Sequence, residues 1–257
     1  IIQGRLSGEI KPDAVLPFRT SKENAQRAFL SLAKVKPLLP RGFTSENRLE
    51  KITAMYVPYW LYDCKCSFSG TYRGTRISRW SDSNYRYTKT DHYSIHRKIE
   101  AEFCSIPMDA SSTLPDQIME SIEPFDFKQL VDFDSAYLSG YLAEKYDVEA
   151  EDGRSRIKSR INASMDDHAR SSIPSYTGVH CVGKNLSVTH GRERYVLLPV
   201  WMLYSKYKEK TYVFAMNGQT GKMTGVFPIC PKKSALWFSS VTAGVSLLAM
   251  LVQHLLF

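Results

Sequence analysis

The chain has 257 residues, of which 43% are hydrophobic and 23% charged, so it can bury a core and is not disordered by composition. Its 14 Gly and 12 Pro exclude collagen-like and low-complexity readings, and five Cys over this length exclude a small disulfide-stapled scaffold. The net charge of +8 conceals a segregation: residues 65–98 carry eight basic and two acidic side chains, whereas residues 109–152 carry two and twelve. An acidic block folded back on basic ones cancels much of the long-range field that a phosphate backbone or an anionic lipid would feel.

No basic-plus-apolar leader opens the chain, and both ends read as edges of a longer protein. Thr20-Ser-Lys-Glu23 has the capping-box pattern, and Ala25, Ala28, Phe29 and Leu32 follow at helical spacing. This predicts a helix over 21–35, ended by Pro37 and Pro40. Residues 49–63 are apolar, aromatic and β-branched and read as strand. Residues 64–103 alternate and read as two or three antiparallel strands, with a turn at Ser81-Asp-Ser-Asn84.

The middle changes character. Residues 115–122 predict a short helix. Asp134 or Ser135 is placed to cap a second one, with Tyr137, Leu138, Tyr141 and Leu142 on one face. Residues 149–171 predict a third, with Ile157, Ile161 and Met165 at i+4 steps. Strand chemistry returns from Thr177, with strands at 195–207 and 211–216 and a tight turn at Asn217-Gly218.

One echo runs across the chain. Pro58-Tyr-Trp60 and Pro199-Val-Trp201 each open an apolar strand, where Pro is tolerated at a start or an edge because no ladder donor is needed there. The expectation is an α+β fold of two helix-plus-antiparallel-sheet units, readable as an internal duplication, over 12–110 and 111–230. In it Pro58, Trp60, Pro199, Trp201, Asn217 and Gly218 act as structural anchors.

The last 24 residues, 234–257, hold no Asp, Glu, Lys or Arg. About 20 apolar residues span a bilayer core, so this stretch reads as a transmembrane helix. Trp237 suits the interface, and Lys232-Lys233 just before it favours the cytoplasmic side, which puts residues 1–233 in the cytoplasm.

The catalytic patterns fail in turn. His92 and His96 have the i, i+4 spacing of a helical metal pair but lie in a strand, where four residues span about 13 Å. Cys64 and Cys66 share one strand face with no second pair nearby, so no metal site and no cofactor is assigned to this chain. Asn217-Gly-Gln-Thr-Gly-Lys222 lacks the first Gly and the final Ser/Thr of a phosphate loop. No Gly-x-Ser-x-Gly occurs, and no catalytic residue is assigned. What remains is a basic, aromatic patch of Arg73, Arg76, Arg79, Trp80, Arg86 and Lys89, which can hold a nucleic-acid strand by charge and stacking, or can be the charged protection of an exposed sheet.

The strings Val57-Pro-Tyr-Trp-Leu-Tyr-Asp63, Trp80-Ser-Asp82, Ser121-Ile-Glu-Pro-Phe-Asp126, Gly140-Tyr-Leu-Ala-Glu-Lys-Tyr-Asp147, Leu198-Pro-Val-Trp-Met202 and Thr211 to Lys222 resemble a family of uncharacterised bacterial proteins. The resemblance covers about residues 10–233. It implies a C-terminal membrane segment and an N-terminal zinc ribbon, which would precede Ile1, since this chain has no Cys-x-x-Cys. Some members bear a helicase-like label, although no nucleotide-binding motif stands here. The leading expectation is a non-enzymatic, membrane-tethered scaffold with an unknown protein partner. Nucleic-acid binding through 65–98 and a hydrolase with an unrecognised site are the alternatives.

Overall fold

The structure is a computed structural model that describes residues 11–44 and 51–256. One eight-stranded sheet runs through it, with strand order β3-β2-β6-β1-β4. Its strands are β1 (Ala14–Val15), β2 (Thr53–Ser81), β3 (Arg86–Asp109), β4 (Val131–Asp132), β5 (Leu142–Ala143), β6 (Gly178–Tyr207), β7 (Lys210–Asn217) and β8 (Met223–Gly225). The helices are α1 (Lys22–Lys34), α2 (Asp116–Ser121), α3 (Ala150–Ser171) and α4 (Pro231–Leu256). The α+β class and the elements α1, α2 and α3 match the sequence reading, and so does the Ile157/Ile161/Met165 stripe, which is buried.

Three expectations are corrected. The cap of α1 is Ser21 rather than Thr20, and its reciprocal partner is Asn24. Thr20 is drawn away from the helix: its hydroxyl donates to Gly218 O at 2.8 Å and accepts the Trp201 indole N–H at 3.0 Å. The helix expected after Asp134 is only a 3-10 turn, Ser135–Leu138. Asp134 does cap it, but the chain then extends so that Leu142 and Ala143 pair in parallel with Met55 and Tyr56, because sheet pairing outcompetes a short polar helix. Residues 64–103 do form two antiparallel strands about the expected turn at Ser81–Asn84, but the strand read over 49–63 is not separate and runs on unbroken as β2; residues 49 and 50 lie outside the described residues.

The two Pro-x-Trp strands are direct neighbours. β2 and β6 pair antiparallel with Val57 opposite Leu198, Pro58 opposite Leu197 and Pro199 opposite Tyr56. A local two-fold therefore passes between Val57 and Leu198, and it relates much of the fold. β1 adds in parallel to β6 at Leu197, and β5 adds in parallel to β2 at Tyr56. β3 begins its pairing with Tyr59 opposite Asp109, and β7 with Val200 opposite Asn217. The Trp60 indole donates to Val148 O at 2.8 Å, just before α3; the Trp201 indole donates to Thr20, just before α1. Tyr146 meets Trp60 edge-on at 5.6 Å, and Phe18 meets Trp201 edge-on at 5.5 Å. The two units are thus β1-α1-β2-β3 and β5-α3-β6-β7. Each supplies the helix entry against which the other's Trp packs.

The prolines sit at the joints of this arrangement. On the outer edge of β2, β5 leaves off at Tyr56 and β3 begins at Tyr59. Pro58 lies in the gap, with its carbonyl accepting from Ala110 N at 2.9 Å. Pro199 lies in the equivalent gap on β6 and accepts from Gly218 N at 2.8 Å. A missing N–H there interrupts no ladder. Gly218 has to be Gly: a Cβ would stand 2.7 Å from Phe18 and Pro199.

Three apolar clusters close the body. One lies under α3 (Trp60, Tyr62, Phe68, Tyr72, Ile157, Ile161, Met165). The second lies on the opposite face under α2 (Val57, Tyr59, Leu61, Met119, Ile122, Val196, Leu198, Val200). The third lies under α1 (Phe29, Phe43, Trp201, Phe214). The acidic block does fold back on basic residues. Arg156 of α3 reaches Asp109, Asp116 and Glu120 at 3.1, 3.0 and 2.7 Å, and Arg160 reaches Glu123 at 2.7 Å.

α4 stands apart from these clusters. Its residues Pro231–Gln253 form a helix long and apolar enough to cross a membrane, and residues 235–253 are exposed. Its root is fixed to the body: Cys230 N donates to Leu38 O at 2.8 Å, and Lys233 Nζ to Leu39 O at 2.7 Å.

Candidate interaction surface

Beyond the body, β2, β3 and β6 continue together as a three-stranded ribbon. β2 alone has 29 residues, a contour of about 90 Å at about 3.3 Å per residue. The ribbon leaves the body at a shared irregularity. Between Tyr62 and Cys64 the registers of both β3 and β6 shift, Ser105 takes φ 57°, and the Asp63 carboxylate accepts Ser105 N at 2.7 Å. Past this point one face is covered and the other is open. The covered face (Cys64, Cys66, Phe68, Tyr72, with Ile95 from β3) lies against α3 and is buried. It is pinned at the far end by Tyr72, whose hydroxyl donates to Asp166 at 2.8 Å. The side chains between them, Lys65, Ser67, Ser69 and Arg73, point the other way and are exposed.

β6 ends its pairing at Thr75 opposite Gly178, so the last stretch is a two-stranded hairpin. Its turn is held by Asp82, which accepts from Asn84 N, Tyr85 N and the Tyr87 hydroxyl. Those bonds keep the Asp82 carboxyl below the usual carboxylate range.

The six basic and aromatic residues are divided between the two faces. Arg76, Trp80 and Lys89 are on the face that α3 covers lower down. There Trp80 stacks on its cross-strand partner Tyr87 at 5.5 Å, Arg76 lies over Tyr93 and Tyr176 at 5.7 and 5.6 Å, and Lys89 pairs with Asp91 at 3.1 Å. Arg73, Arg79 and Arg86 are on the open face, among Thr71, Thr75, Thr88 and Thr90 and beside His92, His96 and His180. From the Ser69–Lys98 row outward that face carries no Asp or Glu. The aromatic stack and the three arginines therefore cannot grip the same side of one ligand. Sequence spacing did not show this, since it turns on the register between β2 and β3.

His92 and His96 lie on β3, and His96 bonds to Thr71 and Ser94 rather than to His92. Among the described residues no group of three His, Cys, Asp or Glu is placed to hold a metal ion. Cys64 and His190 meet across strands at 3.6 Å, a pairing that spacing along the chain could not reveal. Burial pushes the Cys64 thiol up, which keeps it protonated and a poor nucleophile. Asn217 to Lys222 forms the β7–β8 turn: Asn217 Oδ1 accepts from Gln219 N and Thr220 N, so these amides hold the loop and are not presented to a phosphate.

A second feature is a cleft of about 380 Å³ at the start of α3, lined by Asp109, Ser111, Ser112, Asp116, Asp152 and Arg156. Asp109 is buried, and burial pushes its carboxyl up to about 6 against the pull of Arg156. Its Oδ2 and the nearby Tyr59 hydroxyl have no hydrogen-bond partner among the described residues. The symmetry-related residue is Asn217, whose amide donates to Ile122 O and Pro124 O at 3.0 and 3.1 Å.

No family model matches the chain, and no solved structure does. Over 253 residues it is 39% identical to the uncharacterized protein YdjG of Bacillus subtilis (strain 168), covering 98% of this chain and 74% of that protein. A likeness that runs through both units, the ribbon and the apolar helix places the chain in the family of YdjG.

Proposed function

We propose that the chain is a non-enzymatic, membrane-tethered scaffold. In this reading α4 enters the bilayer from the cytoplasmic side, and residues 1–233 stand in the cytoplasm with the ribbon held out to a protein partner. One observation carries it: the three apolar clusters close without α4, which leaves residues 235–253 of a helix that is free of charge beyond Lys233 exposed. In water that surface would be covered by aggregation; in a bilayer it needs no further cover. Lys232 and Lys233 at its root favour entry from the cytoplasmic side. The test is fractionation of the full-length protein with and without residues 231–257. The whole protein should need detergent for extraction and the truncated one should not. Recovery of the whole protein in the soluble fraction would sink the tether.

A second reading, nucleic-acid binding, is favoured by the acid-free open face with Arg73, Arg79 and Arg86. It predicts affinity that falls steeply with salt; no binding at low salt ends it. The zinc ribbon belongs to the same proposal: about a quarter of YdjG lies outside the matched region, which leaves room for one. Zinc analysis of the full-length protein tests it.

A further inference from the structure

We infer that β3 is a self-association edge, along which two copies of the chain pair antiparallel through residues 94–104 with Ile99 opposite Ile99, joining two ribbons into one six-stranded sheet. This does not rest on the tether.

Among the described residues β3 pairs with β2 alone, so its outer row of N–H and C=O groups meets no other strand along the ribbon; His96 O in that row accepts from Arg97 Nη1 at 2.9 Å, a side-chain bond that a second strand would displace. Long edges of this kind are templates for another strand, and proteins that keep them single blunt them with Pro, bulges or inward charge. Between Tyr93 and Phe103 β3 has no Pro and no register shift; the first irregularity takes in Cys104 and Ser105, where the register with β2 shifts and Ser105 has φ 57°. A straight segment of nine residues, 95–103, is thus left available and is centred on Ile99, with Ser94 and Cys104 at its margins.

The side chains choose the partner. Pairing two β3 strands about an axis normal to the sheet keeps each face on its own side. On the open face the Ile99 register sets Lys98 against Glu100 of the second copy, His96 against Glu102, and Ser94 against Cys104. On the helix face it sets Ile95 against Phe103 and Arg97 against Ala101. Lys98 and Glu100, the opposed formal charges, are of opposite sign; Ile95 meets Phe103 and Ile99 meets Ile99, while Arg97 stands against Ala101. The neighbouring registers are poorer. A slip of two residues one way puts Lys98 against Lys98; the other way puts Glu100 against Glu100, although it also sets Lys98 against Glu102. A slip of one residue sends the apolar face to water. Lys98 and Glu100 are well exposed and pair with each other at 3.1 Å among the described residues, so both can exchange partners at the surface. Cys104 is exposed at the same edge.

The experiment uses the full chain in detergent micelles. Ser94→Cys should form a disulfide with Cys104 of a second copy under mild copper–phenanthroline oxidation and give a dimer band. His92→Cys, two residues out of register, should not, nor should Ser94→Cys combined with Cys104→Ser. In sedimentation equilibrium, Glu100→Lys should weaken the dimer about tenfold, because two symmetry-related attractions become repulsions. Lys98→Glu with Glu100→Lys should restore it, since the exchanged pair is again complementary. Both positions are on the surface, so loss of folding does not confound the comparison. A monomeric wild-type chain, a dimer indifferent to Glu100→Lys, or equal cross-linking from His92→Cys would each overturn the inference.

Discussion

Asp109→Asn isolates the cost of a buried charge. Asp109 is 3% exposed; Arg156 donates to its Oδ1 at 3.1 Å, and its Oδ2 has no partner among the described residues. Burial raises its pKa from 3.8 to about 6, so the folded state holds the proton longer than the unfolded chain. Between these two values the folded state binds more protons, and stability falls as pH rises. Below 3.8 both states are protonated and the contribution vanishes; above 6 both are ionised and the penalty is constant at about 3 kcal/mol. Asparagine keeps the shape without the ionisation, and the related position already carries an amide in Asn217. The variant should be more stable than the parent by about 2–3 kcal/mol at about pH 7.5, and the gap should close towards about pH 4. Urea unfolding of the full chain in detergent, followed by the fluorescence of buried Trp60 and Trp201, reads the difference directly. A gap independent of pH, or a variant less stable than the parent at neutral pH, would refute the reasoning.

The two-fold predicts that Trp60→Phe and Trp201→Phe each cost about 1–3 kcal/mol in chemical unfolding, since each removes one indole bond to the entry of a helix and leaves a small void. Unequal losses, one large and one negligible, would count against equivalent roles. Gly153→Ala should cost about 1–3 kcal/mol despite the better helix propensity of Ala, because its Cβ would run into Met108 and the Tyr62 hydroxyl, which Ala150 O holds in place; a rise in thermal midpoint would contradict this. If the ribbon binds single-stranded nucleic acid by its open face, replacing Arg73, Arg79 and Arg86 with Ala should lower the salt slope by about 2, while Arg76→Ala with Lys89→Ala leaves it nearly unchanged. Equal effects from the two sets would show that facing does not matter.

Much of the fold was legible because it is local. The i+4 stripe of α3, the charge-free tail and the alternation along the ribbon are all read along the chain. What escaped depends on distant residues. Leu142 and Ala143 looked helical because their neighbours cap a turn, and they became a strand because the edge of β2 at Met55 and Tyr56 was open to them. Thr20 carried the right chemistry for a cap but found Gly218 and Trp201, across the sheet, to be the better partners. The same holds for the surface. The composition of 65–98 was plain, but its division into an aromatic side and an arginine side follows from Trp80 standing opposite Tyr87, a fact of register.

The two-fold also shows where the units have diverged. Both place a Trp under the other's helix entry and a buried polar residue, Asp109 or Asn217, at the same point of the return strand. In the second unit the hairpin closes after Tyr207 with a tight turn to Lys210, whereas in the first it runs on to Ser81 before returning at Arg86. The inner part of that extension is buried under α3 through Phe68, Tyr72 and Ile95, whereas the part beyond Thr75, where β6 no longer pairs, adds nothing to the apolar clusters. Its outer third leaves Trp80, Tyr85 and Tyr87 exposed and concentrates three arginines on a face free of carboxylates. Exposed aromatics and an unbalanced charge both carry a solubility cost that shortening the hairpin would remove. In the reading proposed above, this outer stretch, which adds nothing to the clusters and burdens the chain in isolation, is held out for a bound partner. Shortening β2 and β3 by removing residues 76–91 across a new turn should therefore leave the unfolding free energy of the body within about 0.5 kcal/mol while abolishing partner capture. Loss of folding on that deletion would show instead that the ribbon belongs to the core.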